Sequence, residues 1–97
     1  MRPSEALAKH RDQVLEIISR YPVTNPRVFG SVARGEDQEG SDVDILVEPQ
    51  EEVTTFAHLG ELEQELSELL GHQVEVLTPG GLRRTMAERI ERELTPL

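Results

Sequence analysis

The chain has 97 residues, of which 36% are hydrophobic and 30% charged, a balance that excludes intrinsic disorder and suits one small folded domain, residues 1–97. No apolar run approaches the roughly 20 residues of a membrane helix, the segment from Met1 lacks the apolar stretch of a signal peptide, and the absence of cysteine excludes disulfides and thiolate metal sites. A cytoplasmic setting and no membrane association are expected. The formal charge of -9, from 19 acids against 10 Lys and Arg, argues against stable nucleic-acid binding, which rests on cationic neutralisation of phosphates. It suits a domain that recruits cations or docks on a basic partner.

Ser4 is the expected N-cap of a first helix, whose apolar stripe runs through Leu7, Val14, Ile18 and Tyr21 to a stop at Pro22. A turn at Asn25-Pro26 then leads into a short strand, Arg27 to Phe29, ended by Gly30. Residues 31–41 read as a loop opened by one helical turn at Val32-Ala33-Arg34. Asp42 to Val47 alternates as a second strand. From Thr55 to Leu70, Phe56, Leu59, Leu62, Leu66 and Leu69 recur at helical spacing, and Gly71 closes the helix. Gln73 to Leu77 is a third strand and Thr78 to Gly81 a turn. A last helix follows on Leu82, Met86 and Ile90, with Arg83, Arg84, Arg89 and Arg92 outward. The expected order is αβ(loop)βαβα, without internal repeats.

The chemistry lies between Gly30 and Asp44, and in Glu75. Side chains two apart on a strand share a face, so Asp42 and Asp44 stand opposite Val43, Ile45 and Val47, which mark the packed side. Two carboxylates this close repel unless a cation or a proton sits between them. With no cysteine or histidine nearby, hard oxygen ligands favour magnesium or manganese over zinc. In Gln73-Val74-Glu75-Val76-Leu77, Glu75 falls on the face opposite the valines. If that strand neighbours the second, Glu75 joins the aspartates. Gly30-Ser31 offers a close backbone approach, exposed N–H groups and a hydroxyl, the elements of a phosphate cradle. Metal and cradle together suit in-line substitution at phosphorus.

Each piece also has an ordinary explanation. Gly-Ser is a common turn, Asp-x-Asp a common loop or cap, and Glu75 a plausible edge charge. Arg34 can bind phosphate, but pairing with an acid of its own loop is favoured over that. His10, His58 and His72 are scattered and form no ligand set. Only the joint arrangement is specific.

That arrangement resembles the nucleotidyltransferase superfamily related to DNA polymerase β, and within it the minimal nucleotidyltransferases (MNT). Their signature is Gly-Ser, ten residues, then Asp-x-Asp, with a third acid on a later strand. Here Gly30-Ser31 is followed by ten residues, Val32 to Ser41, and then Asp42-Val43-Asp44. Ala33-Arg34-Gly35 and Ser41 also match, and the similarity continues through Leu69-Leu70-Gly71 and Val74-Glu75-Val76. The resemblance implies an α/β (α+β) fold, a small mixed β-sheet with helices packed on one side. It implies that Asp42, Asp44 and Glu75 are catalytic metal ligands, that two magnesium ions (or manganese) are held, and that Gly30 and Ser31 contact the phosphates of ATP as nucleotide donor. Attack would fall on the α-phosphorus, with Glu75 accepting the acceptor hydroxyl's proton. Where this chain has Glu75, the family often has Asp.

Members of the family commonly pair with a HEPN-domain protein, often a ribonuclease toxin, as its antitoxin, and some transfer AMP to a tyrosine of that toxin. A hetero-oligomer with a HEPN partner and a protein hydroxyl as acceptor are therefore expected. The alternative is a catalytically weak antitoxin that neutralises by binding alone. Extension of an RNA would use the same chemistry but fits the acidic charge poorly.

Overall fold

In the computed structural model, which describes residues 1–82 and 84–97 and only the backbone of residues 84 and 85, four strands form one mixed sheet. They are β1 (Val23–Phe29), β2 (Val43–Pro49), β3 (Val74–Leu77) and the short β4 (Thr95–Pro96), ordered β3-β2-β1-β4. β2 lies between β1, which runs antiparallel to it, and β3, which runs parallel.

Alternation along these strands sorts the sheet into two faces. Val28, Val43, Ile45, Val47, Val74 and Val76 are all buried in the main core, beneath α1 (Pro3–Lys9), α2 (Arg11–Ser19) and α4 (Phe56–Leu70). Val14, Leu62 and Leu66, each with 0% exposure, supply the helical half of that core. Helices on one side thus account for most of the burial. The other face carries a smaller cluster, Phe29 and Leu46 under Ile90 of α5 (Arg84–Glu91), with Leu77, Leu82 and Leu94 beside it. This second cluster leaves the end of the sheet nearest Asp44 open.

Several expected boundaries move. The first helix begins at Pro3 with Arg2 as N-cap, so Ser4 is the second helical residue, and its N–H donates to Asp37 Oδ2 at 2.8 Å. Proline is well suited to the first helical position because its fixed φ fits and its missing N–H is not needed there. The helix also breaks at His10 (φ -107°, ψ 19°) before α2 resumes. Asn25-Pro26 is a bulge inside β1 rather than a turn before it. Asn25 takes φ 50°, the pairing register slips between Thr24 and Arg27, and the strand therefore starts four residues earlier, at Val23. Asparagine tolerates this left-handed conformation better than most residues.

α4 matches its expected span, capped by the Thr55 hydroxyl at one end and by Gly71 (φ 70°) at the other. Phe56, counted in its apolar stripe, is 93% exposed. At 100° per residue it stands about a quarter-turn off the line of Leu62, Leu66 and Leu70. α4 also closes the free edge of the sheet: Ser67 Oγ accepts from Val74 N–H at 2.9 Å and Glu63 Oε1 from Val76 N–H at 2.8 Å. Arg89 and Arg92 are exposed as expected, whereas the expected exposure of Arg83 and Arg84 falls outside the described side chains. No helix among the described residues is long and apolar enough to cross a membrane.

Candidate active site

Register on β2 assembles the site. Asp44 pairs with Phe29 of antiparallel β1 and with Glu75 of parallel β3. Cross-strand partners share a face, so Asp44 and Glu75 stand side by side on the face opposite the valine core. The same register brings the end of β1 level with Asp44, and there the chain turns from Phe29 into Gly30 and the short helix α3 (Gly30–Arg34). Gly30 has φ 76°, and a β-carbon at this position would lie 2.6 Å from Asp44 Oδ2. Only glycine allows both that backbone angle and that approach.

A cleft of about 370 Å³ gathers these residues, its wall formed by Gly30, Ser31, Arg34, Asp44, Glu75, Met86, Arg89 and Glu93 over a floor of Phe29, Leu77 and Ile90. Such a volume suits a small-molecule site, with convergent polar groups above an apolar base. Four of the five residues singled out in the sequence line it. The fifth, Asp42, sits one residue before β2 and is exposed, yet its charge still acts on Asp44.

The electrostatics show how crowded the carboxylates are. Burial, then the charges of Glu75 and Asp42, push the half-buried Asp44 up to about 6, against a smaller opposing pull from Arg34. A carboxyl whose pKa is raised by neighbouring negative charge is disposed to exchange its proton for a cation. Among the described residues no three His, Cys or acidic groups close into a ready-made metal cage. Magnesium does not need one, since it binds through one or two carboxylates and completes its shell with water and phosphate oxygens. The all-oxygen donor set and the raised Asp44 therefore fit magnesium.

Arg34 pairs with Glu36 of its own loop at 3.2 Å, as the sequence suggested, but its shorter contact is with Glu93 at 2.7 Å. Glu93 was not legible as a site residue. It is one of several acids near the C-terminal end, and only the fold carries it to Arg34 and to the Gly30 N–H, which donates to Glu93 Oε2 at 3.0 Å.

This combination of a mixed sheet, paired strand carboxylates and an adjoining glycine-serine bend is that of a phosphate-handling transferase, and relatives define which. The nucleotidyltransferase domain family matches residues 9–97, and the chain belongs to that family as a minimal nucleotidyltransferase. It is 39% identical over 88 residues to protein adenylyltransferase MntA of Thermococcus cleftensis, covering 91% of this chain and 85% of the relative. A solved structure provisionally described as a minimal nucleotidyltransferase superposes with a TM-score of 0.84 at 39% identity, covering 97% of this chain and 95% of the other. A toxin–antitoxin crystal structure with AMP-PNP shares the fold at a TM-score of 0.75 and 17% identity, over 88% of this chain and 69% of that one.

Proposed function

We propose that this nucleotidyltransferase transfers AMP from ATP to a hydroxyl of a partner protein, and that the partner is a HEPN-domain toxin for which the chain is the antitoxin. The observation that carries the chemistry is the adjacency of the Asp44–Glu75 pair to the Gly30-Ser31 bend in one cleft. The name of the relative MntA, a protein adenylyltransferase, supports AMP as the group and protein as the acceptor. The HEPN partner and a hetero-oligomer follow from the family resemblance.

In this proposal Asp42, Asp44 and Glu75 hold magnesium (two ions, or manganese). Bound there, the metal would supply positive charge to offset that of the phosphates and the attacking oxygen. The Gly30 and Ser31 backbone N–H groups and the Ser31 hydroxyl donate to triphosphate oxygens and orient the α-phosphorus. Glu75 accepts the acceptor's proton as the new P–O bond forms and the bond to pyrophosphate breaks, which keeps atoms and charge in balance.

Incubation of the chain with labelled ATP, magnesium and a candidate HEPN protein tests this. Label should appear on the partner, and should vanish when Asp42→Ala and Asp44→Ala are combined. Label that persists in the double variant rules the site out.

A second reading, neutralisation by binding alone, is favoured by Glu75 standing where the family often has Asp. In that case the double variant still neutralises the toxin. Loss of neutralisation with intact partner binding removes it.

A further inference from the structure

The Glu93 carboxylate is held as a bound anion would be. One oxygen accepts from the Gly30 N–H at 3.0 Å and the other from Arg34 Nη1 at 2.7 Å. A backbone N–H and a guanidinium converging on two oxygens of one planar anion form the kind of receptor that also takes a phosphate. The Gly30 N–H is one of the donors assigned above to the triphosphate. We propose that Glu93 is an internal competitor for that group: its carboxylate fills part of the triphosphate position, and nucleotide enters only as Glu93 leaves it. This rests on the nucleotide-binding reading of the cleft.

The surroundings let the side chain move without the backbone. The Glu93 and Leu94 N–H groups both donate to Ile90 O, at 2.9 and 3.1 Å, and Ile90 is 2% exposed between Phe29 and Leu46. Two residues on, Thr95 pairs with Val28 of β1. Glu93 is thus pinned on both sides by the fold, and the freedom left to it is rotation of its own side chain. Arg89 lines the same cleft, and its charge already acts on Glu93. It offers the displaced carboxylate a second cation. Arg34, released from Glu93, keeps its place on the cleft wall and can pair with the incoming phosphate instead. Burial acts to raise the pKa of Glu93, but the bonds from Arg34 and Gly30 outweigh it and hold the carboxyl below its ordinary value. The same two bonds therefore favour the ionised form of the competitor.

Calorimetric titration with inorganic tripolyphosphate tests this without requiring catalysis. Glu93→Gln keeps the size of the side chain and removes its charge, and should bind tripolyphosphate about tenfold more tightly than the unaltered chain, the scale of one charge-assisted hydrogen bond no longer in competition. Glu91→Gln, an exposed neighbour with the same change of charge, should alter binding less than about twofold, as expected of a screened surface charge. Equal tightening in both variants reduces the effect to overall charge and overturns the proposal. So does weaker binding by Glu93→Gln, which would make Glu93 an organiser of Arg34, and so does no binding by any of the chains. Should Glu93→Gln fail to fold, the unaltered chain decides by NMR. The Gly30 amide and the Glu93 carboxyl carbon should shift together as tripolyphosphate is added, and an unmoved Glu93 overturns the proposal. AMP transfer measured in parallel separates the two ideas. Tighter binding without any transfer sinks the proposed activity and spares the competitor, whereas transfer with unchanged binding does the reverse.

Discussion

Gly30 and Asp44 approach so closely that a methyl group on Gly30 would lie 2.6 Å from Asp44 Oδ2. The bend and the carboxylate are therefore one unit. Gly30→Ala must both place a side chain at φ 76° and push the aspartate aside. The backbone part alone costs about 1 kcal/mol. A denaturant melt should show at least that loss, and AMP transfer should fall by about tenfold or more because Asp44 no longer holds its position, as a small misplacement at a reacting centre is expensive. Wild-type transfer in a folded Gly30→Ala chain would break the link.

Asp44 should make the metal-free protein less stable as pH rises. Its folded pKa of about 6 lies above the ordinary aspartate value of 3.8, so the unfolded chain gives up this proton first. The stability associated with protonated Asp44 is complete below about 3.8 and is lost as pH climbs through about 6. Asp44→Asn removes that loss. Compared by denaturant melts, the variant should be more stable than the unaltered chain at pH 8, on the order of 1 kcal/mol once solvent screening of a half-exposed carboxylate is allowed for. The difference should disappear near pH 3.5, below the ordinary value of 3.8. Transfer activity should be absent at every pH.

Glu75→Gln separates the causes of that raised value. Burial is the largest of them and the Glu75 charge the second. Removing the charge while keeping a hydrogen-bonding side chain should lower the Asp44 midpoint, and burial should still hold it above the ordinary range. Carbon-detected NMR titration reads this directly. An unchanged midpoint would mean that the two side chains are not coupled.

Ligand binding should stabilise the fold. Magnesium and ATP together, at a hundredfold excess over Kd, contribute about 2.7 kcal/mol if they bind the native state alone. The melting temperature should rise with both present and much less with ATP alone. The double variant Asp42→Ala, Asp44→Ala should lose the difference.

The free edge of the sheet gives a prediction remote from the chemistry. Ser67 and Glu63 each accept one β3 N–H, from Val74 and Val76 respectively. Combining Ser67→Ala and Glu63→Ala leaves these donors to solvent and loosens the strand that carries Glu75. Faster amide exchange should be confined to residues 74–77, with a loss of about 1–2 kcal/mol in stability. Uniform exchange across the sheet would show that the caps are dispensable.

Which face of a strand is buried was legible from residue order, because alternation is local: Val43, Ile45 and Val47 occupy one side and are each 0% exposed, which leaves Asp44 on the other. Residue order also marked the span of α4 and its glycine stop at Gly71, and set Gly30, Ser31, Asp44 and Glu75 apart as residues that share a cleft. Features that depend on distant partners emerge only from how the elements pack. The level of Glu75 against Asp44 follows from parallel pairing of β2 with β3. The Asn25-Pro26 bulge exists because β1 continues past it to pair with β2. Arg34 and Glu93 lie 59 residues apart in the chain, and no local pattern distinguishes that glutamate from its neighbours. Periodicity reports orientation about a single element, whereas register and long-range ion pairs are properties of how elements meet.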